Sequence, residues 1–281
     1  MADWVEELVE TSRSGRPAEC LPVVRVRDGR AIPGDDLVAG EEPLEVRLEG
    51  STVAVTMRTP TPAQDAELAV GFLIGETIIS PEQVARVSEC RSDDGTGGVV
   101  DVRLWPGAEP GTGWQRSFYA TSSCGVCGKA SIEAVRVATD PLGDGPVVES
   151  DVFEGLPEAL RSKQRVFDRT GGLHAAALFD SNGDPLVVRE DIGRHNAVDK
   201  AIGRVAMDGR LPLSEQILMV SGRVSFEITQ KALVAGIPIV AAVSAPSTLA
   251  VQLAKESNMT LVGFLRAGGF NIYAGRERIT N

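Results

Sequence analysis

Apolar and polar positions alternate along residues 23–27, 44–48 and 53–57, the two-residue period of strands with one buried face. Asp28-Gly29 and Glu49-Gly50-Ser51 place turn signals beside them. Thr59-Pro-Thr-Pro62 then halts the strand pattern. The spacing beyond it predicts a helix over 63–74, with Asp65 and Glu67 in the first turn, where acids meet the positive end of the helix dipole. Residues 91–98 are polar and glycine-rich and read as a loop before a strand over 99–104. A second loop, 106–113, marks a domain boundary, so the first part of the chain is mainly β.

The second part alternates strand with helix more regularly. Residues 173–179 and 186–189 flank Ser181-Asn-Gly-Asp184, where Asn-Gly accepts positive φ cheaply and predicts a hairpin. Helix is expected from Asp191 onward. Then follow a strand (217–220), a helix (224–235) stopped by Gly236, a strand (237–243), a helix (247–256) and a strand (260–264). Short connections in such a β-α-β-α-β series imply parallel strands with right-handed crossovers. Ser221-Gly-Arg223, Ser244-Ala-Pro-Ser247 and Arg266-Ala-Gly-Gly269 then follow the carboxyl ends of strands, along the edge where open α/β sheets bind ligands. Two of these loops open helices, whose unpaired N–H groups suit phosphate. Taken singly, the serines read as ordinary helix caps; three such loops at one edge favour a site for a phosphorylated ligand.

Composition narrows the function classes. At 281 residues, 43% hydrophobic and 24% charged, the chain can bury a core and is not broadly disordered. A net charge of −11 argues against nucleic-acid or anionic-membrane binding over a wide face, while leaving room for a local basic pocket. The longest apolar runs, such as Ile237-Pro-Ile-Val-Ala-Ala-Val243, are too short to cross a bilayer, and the acidic start lacks a signal-peptide pattern. The expectation is a cytoplasmic protein with no nucleic-acid or membrane partner.

Four cysteines are too few for a disulfide scaffold. Cys20 and Cys90 stand apart. Cys124 and Cys127 pair within Ala120-Thr-Ser-Ser-Cys-Gly-Val-Cys-Gly-Lys129, ahead of a helix expected over 130–138. Glycines beside each cysteine admit a close partner, and the following helix dipole and Lys129 both favour thiolate. Four readings stand side by side. Buried structural cysteines fit poorly with so polar a segment. A structural zinc site would draw on Cys20, Cys90, His174 and His195, with no second pair at zinc-like spacing. A dithiol oxidoreductase would lack the aromatic before the pair and the proline within it. In a sulfur carrier, one thiolate takes sulfur from a donor as a persulfide and hands it on.

At this segment, and in Glu190-Asp-Ile-Gly-Arg-His-Asn-Ala-Val-Asp-Lys200, the sequence closely resembles the FdhD family of formate dehydrogenase accessory sulfurtransferases. Arg169-Thr-Gly-Gly-Leu-His174, Ser221-Gly-Arg-Val-Ser-Phe-Glu227, Ser244-Ala-Pro-Ser-Thr-Leu249 and the stretch from Gly263-Phe264 to Phe270-Asn-Ile-Tyr273 match in the same order, from about Leu21 onward. The resemblance implies sulfur transfer from a cysteine desulfurase to the molybdenum cofactor, a bis(molybdopterin guanine dinucleotide), before that cofactor enters formate dehydrogenase. It places the persulfide on Cys124, with Cys127 as the second cysteine. It puts the nucleotide-binding segment on Phe264, Leu265, Arg266, Ala267, Gly268 and Gly269, with GDP as an analogue of the bound substrate. It also implies a homodimer, and an α/β (α+β) fold with no resident metal. Residues 1–20 become an N-terminal extension and 21–118 a smaller β-rich α/β domain. Residues 119–281 become a cytidine deaminase-like three-layer αβα domain carrying the Cys-x-x-Cys loop and the cofactor pocket.

Deaminase chemistry itself is excluded. Zinc deaminases pair H-x-E with P-C-x-x-C, whereas Ala175-Ala176 follow His174, the cysteines precede the histidine, and Ser123 stands where proline would be. Ser221, Gly222, Arg223 and Ser244 complete the expected pocket. The resemblance also implies that His195 belongs there, and Asp191 and Asp199, four residues either side, would share its helix face and orient its ring. The competing reading of those three residues is a salt-bridged helix start. The rival to sulfur transfer is a non-catalytic chaperone that only docks the cofactor to the dehydrogenase.

Overall fold

The computed structural model describes residues 15–61, 63–92, 95, 97–111 and 140–281. Elements are numbered in chain order. The chain opens with a ribbon of β1 (Ala18–Arg27) and β2 (Arg30–Ala39), closed by Asp28-Gly29, both with positive φ. Glu49-Gly50 makes the same type of two-residue turn between β3 (Glu42–Leu48) and β4 (Ser51–Arg58). Positive φ at both turn residues matches the right-handed twist of paired strands, which is why Asp-Gly and Glu-Gly sit there. β5 (Val84–Arg91) and β6 (Gly98–Leu104) complete a four-stranded sheet in the order β4-β3-β6-β5. β2 and β5 add two strands to the four expected; Pro33 and Gly34 in β2 hide its alternation.

One face of this sheet, built from Leu44, Val46, Val100 and Val102, packs on α1 (Gln64–Gly75) through Leu68, Leu73 and Ile74. The helix begins where the prolines break β4, with Ala63 in the left-handed region as its N-cap. Its start is held from outside: Arg58 forks onto Asp65 at 2.8 Å through both nitrogens, and the Glu89 carboxylate accepts the Ala66 N–H at 3.0 Å.

Two short elements, β7 (Val148–Glu149) and α2 (Ser150–Arg161), lead through α3 (Arg165–Thr170) into the larger half. There β8 (His174–Phe179) and β9 (Pro185–Asp191) form the hairpin predicted at Asn182-Gly183, where Gly183 takes positive φ and Asp180 accepts the N–H groups of Asn182 and Asp184. α4 (Arg194–Met207), β10 (Ile217–Val220), α5 (Phe226–Val234), β11 (Ile239–Ala242), α6 (Thr248–Glu256), β12 (Thr260–Arg266) and β13 (Gly269–Ala274) follow. β14 (Ile279–Thr280) pairs with β7. The six-stranded sheet has the order β13-β12-β11-β10-β8-β9, and β10, β11 and β12 are parallel, as the short connections implied.

Strand alternation sends the two faces of this sheet into different cores. Ala176, Leu178, Leu218, Val220, Val240 and Ala242 meet α4, α5 and α6. Ala175, Ala177, Phe179, Ile217, Met219 and Val262 meet Phe153, Leu156 and Leu160 of α2. The two halves join where α1 crosses α4. A Cβ on Gly71 would lie 1.9 Å from the Asp199 carbonyl oxygen, and one on Gly203 would lie 1.8 Å from that of Glu67, so only glycine lets the backbones approach this closely. No helix among the described residues is long and apolar enough to cross a membrane.

Several expectations are corrected here. β1 starts at Ala18, inside the expected N-terminal extension of 1–20. Asp191 ends β9 rather than opening a helix, because its carboxylate is tied into the strand–helix turn by the Gly193 N–H at 2.9 Å. Helices α2 and α3 occupy a stretch to which no element had been assigned. Cys124, Cys127, the helix expected over 130–138 and the domain boundary near 118 lie outside the described residues.

Candidate functional site

The carboxyl ends of β10 and β12 and the start of β8 border a cavity of about 690 Å³, closed on its other side by α2 and α3. Ser221, Leu265, Arg266 and Ala267 line it, together with His174, Gly171 and Gly172. A second hollow of about 540 Å³ adjoins it through Arg266 and Ala267 and takes in Phe264, Gly268 and Gly269. The two strand-end loops after β10 and β12 are thus brought together at one edge of the sheet, and the position follows from parallel topology.

Backbone shape at β12 sets what each residue offers. Phe264 has φ 54°, a conformation that a bulky residue adopts only under constraint, at an irregularity in the β12–β13 register. Its N–H is held by the Ser244 carbonyl at 3.1 Å. Leu265 is therefore driven inward and fully buried, while Phe264 and Arg266 stay exposed on either side of it. Gly268 donates its N–H to Glu154 on α2 at 3.0 Å, which closes the loop against the cavity wall.

Ser221 is fixed from both sides. Its N–H donates to the Ala175 carbonyl, and its hydroxyl accepts the Ala175 N–H at 2.8 Å, leaving the hydroxyl proton for another acceptor. The loop after β11 contributes differently. Val243 lines the cavity, but Ser244 does not appear on its wall, and Val224 bridges Pro246 to tie this loop to the one after β10. Ser247 caps its own helix by accepting the Ala250 N–H at 3.2 Å, so that helix start is an ordinary serine cap. Arg223 is exposed and is not among the residues lining the cavity.

His195 faces away from its expected partners. Its Nε2 lies 3.0 Å from Ser225 Oγ and 2.9 Å from Glu227 Oε2, both at the start of α5. Asp191 instead meets Lys200 Nζ at 2.7 Å and accepts the Thr59 N–H, and Asp199 meets Lys231 Nζ at 2.7 Å. Strand geometry takes Asp191 off the helix, so the three residues never share a helix face. Burial pushes the Asp199 carboxyl up to about 6 against the pull of Lys231. Burial opposes the charge on Lys231, but Asp199 and Glu76 carry that ammonium above its ordinary range.

His174, the first residue of β8, belongs to the cavity. Burial, then the charges of Arg194 and His195, hold its pKa below the ordinary value of 6.5. Sequence reasoning left it without a role and missed Arg194 altogether. The available signal was an arginine at the first position of a helix, where the dipole favours an acid. Cys20 on β1 and Cys90 on β5 are exposed free thiols, and no group of three or more metal-ligating side chains gathers among the described residues.

Comparison with known proteins supplies the context for this geometry. The model of the FdhD/NarQ family matches residues 39–280. A sulfur carrier protein FdhD of Streptomyces avermitilis is 52% identical over 274 residues, covering 94% of this chain and 96% of that protein. One of Sulfolobus acidocaldarius is 42% identical, covering 92% of this chain and 97% of the other. The crystal structure of a putative formate dehydrogenase accessory protein from Desulfotalea psychrophila superposes with a TM-score of 0.74 at 25% identity, over 94% of this chain and 99% of that one.

Proposed function

This chain belongs to the FdhD/NarQ family, and from that premise we propose that it carries sulfur to the molybdenum cofactor destined for a formate dehydrogenase. The observation that carries the reading is the near full-length identity to curated sulfur carriers, joined to a Cys-x-x-Cys segment with glycines beside both thiols. In this reading the Cys124 thiolate attacks the terminal sulfur of a cysteine desulfurase persulfide. The donor's S–S bond breaks, the desulfurase cysteine leaves as thiolate, and Cys124 becomes the persulfide, with Cys127 assisting. The substrate is a bis(molybdopterin guanine dinucleotide), whose nucleotide sits along Phe264 to Gly269 with its phosphates near Arg266 and Ser221. The cavity at the sheet edge, with its glycine-lined mouth, supports that placement. We read the six-stranded sheet, covered on both faces, as the cytidine deaminase-like domain, the protein as cytoplasmic, and the working unit as a homodimer.

The test is direct. Incubation with a cysteine desulfurase and cysteine adds one sulfur atom to the intact protein, seen by mass spectrometry, and Cys124→Ala abolishes it. Equal sulfur uptake by Cys124→Ala overturns the reading. Restoration of formate dehydrogenase activity by Cys124→Ala in a deficient cell would favour the docking chaperone instead.

A further inference from the structure

Within residues 190–200 the fold engages every polar side chain but one. Glu190 accepts the N–H groups of Val166 and Phe167 at the start of α3. Asp191 holds Lys200, and Lys200 also donates to the Thr59 carbonyl. His195 meets Ser225 and Glu227, Asn196 donates to Met57 and Asp191, and Asp199 meets Lys231. Arg194 is the exception. Its Nε is buried without a hydrogen-bond partner, and it forms no ion pair with any described residue. A cation is poorly placed there in its own right. It begins a 14-residue helix whose first turn holds no acid and whose N-cap, Gly193, makes no side-chain cap bond, so the helix dipole opposes it.

The surroundings of Arg194 lead into the cavity. A Cβ on Gly222 would lie 3.4 Å from His174 Nδ1 and 3.9 Å from Arg194 Cδ, so the two side chains flank that glycine. His174 and Ser221 line the cavity beside it. His174 makes no hydrogen bond with a described residue, and the Ser221 hydroxyl proton is uncommitted. The nearby carboxylates are engaged elsewhere: Asp191 by Lys200, Gly193 and Asn196, and Glu227 by His195. Glu154 and Glu158 enter the cavity from α2, with Glu154 accepting from Gly268.

We propose that Arg194, His174 and Ser221 form an anion subsite around Gly222, where His174 and Ser221 border the cavity and Arg194 stands just outside its lining, shaped for a phosphate or diphosphate group. The guanidinium offers a planar fork, the imidazole one N–H and the serine one O–H, a donor set that matches phosphate oxygens. The natural ligand, the diphosphate of the guanine dinucleotide, rests on the proposed function; the anion chemistry does not. The titration of His174 fits in its electrostatic part: burial lowers it first, the charges of Arg194 and His195 lower it further against the pull of Asp191, and an anion beside Arg194 would offset the share due to those cations.

The chain has only two histidines, so NMR can follow both imidazoles, with His174→Gln assigning them. Inorganic pyrophosphate is the probe, with GDP beside it. On addition of pyrophosphate the His174 midpoint is expected to rise. Arg194→Gln is expected to weaken binding of both probes about tenfold or more and to remove the His174 shift, and Arg194→Lys to recover part of the binding. Thermal melts check folding; if Arg194→Gln fails to fold, Arg194→Lys and His174→Gln carry the test. Absence of pyrophosphate binding, an unmoved His174 midpoint at saturation, or equal affinity in the folded variants overturns the subsite. None of these bears on sulfur uptake by Cys124, and failure of that uptake leaves the subsite standing.

Discussion

The cations along the seam between the two sheets differ from those at the edge of the larger one. At the seam, Arg58 forks onto Asp65, Arg189 onto Glu67, Lys200 meets Asp191 and Lys231 meets Asp199, and all four acids are buried. At the edge, Arg194, Arg223 and Arg266 form no ion pair with any described residue, in a chain whose net charge is −11. With acids in surplus, unpaired arginines gathered at one edge are not explained by a shortage of partners. Buried pairs contribute little net stability, since desolvation offsets their attraction, but removing one partner strands the other. The seam therefore works as a lock that resists errors, while the arginines at the edge stay without an ion-pair partner among the described residues, as the proposed anion subsite requires.

Breaking the lock should give the largest effect. Lys200→Met leaves the fully buried Asp191 without its cation and is expected to cost about 3–5 kcal/mol, read from urea unfolding at neutral pH. A cost under about 1 kcal/mol would mean that pairing does not hold the seam. Gly203→Ala tests the same junction by shape alone. Its new Cβ would meet the Glu67 carbonyl oxygen, so α1 and α4 must move apart, at a cost of about 1–3 kcal/mol.

The seam and the edge were unequally legible in the sequence. Parallel β10-β11-β12 followed from spacing because each connection is a short helix with clear stops, such as Gly236. That topology alone brought Ser221, Leu265 and Arg266 to one cavity. α2 was missed because Pro157 interrupts a pattern in which Phe153, Leu156 and Leu160 do point one way. The partners of His195 were illegible for a different reason: Glu227 lies 32 positions along the chain, and only folding brings α5 to α4. Local spacing offered Asp191 and Asp199 instead, and both are claimed by lysines of the same half, Lys200 on α4 and Lys231 on α5.

At the edge, substitutions should leave the fold intact or improve it slightly. Arg194→Gln removes an unpaired charge from the positive end of α4 and is expected to raise stability by roughly 0.3–1 kcal/mol. The same measurement as for Lys200→Met then gives the opposite sign, and a clear loss of stability would place Arg194 with the seam.

The smallest effect concerns pH. The folded protein holds His174 below its ordinary value of 6.5, so as pH falls the unfolded chain binds that proton first. The histidine's contribution to stability is complete above about pH 6.5 and is lost as the pH drops through the lower folded value. His174→Gln removes this dependence, so the stability difference between wild type and variant should shrink in favour of the variant between pH 7.5 and pH 5. Saturating pyrophosphate should shrink it less, because an anion beside the imidazole raises its folded titration toward the unfolded value. Parallel pH profiles for the two proteins, with and without the anion, would mean that His174 is not held in the positive field of Arg194, and the contrast between seam and edge would lose its electrostatic basis at that residue.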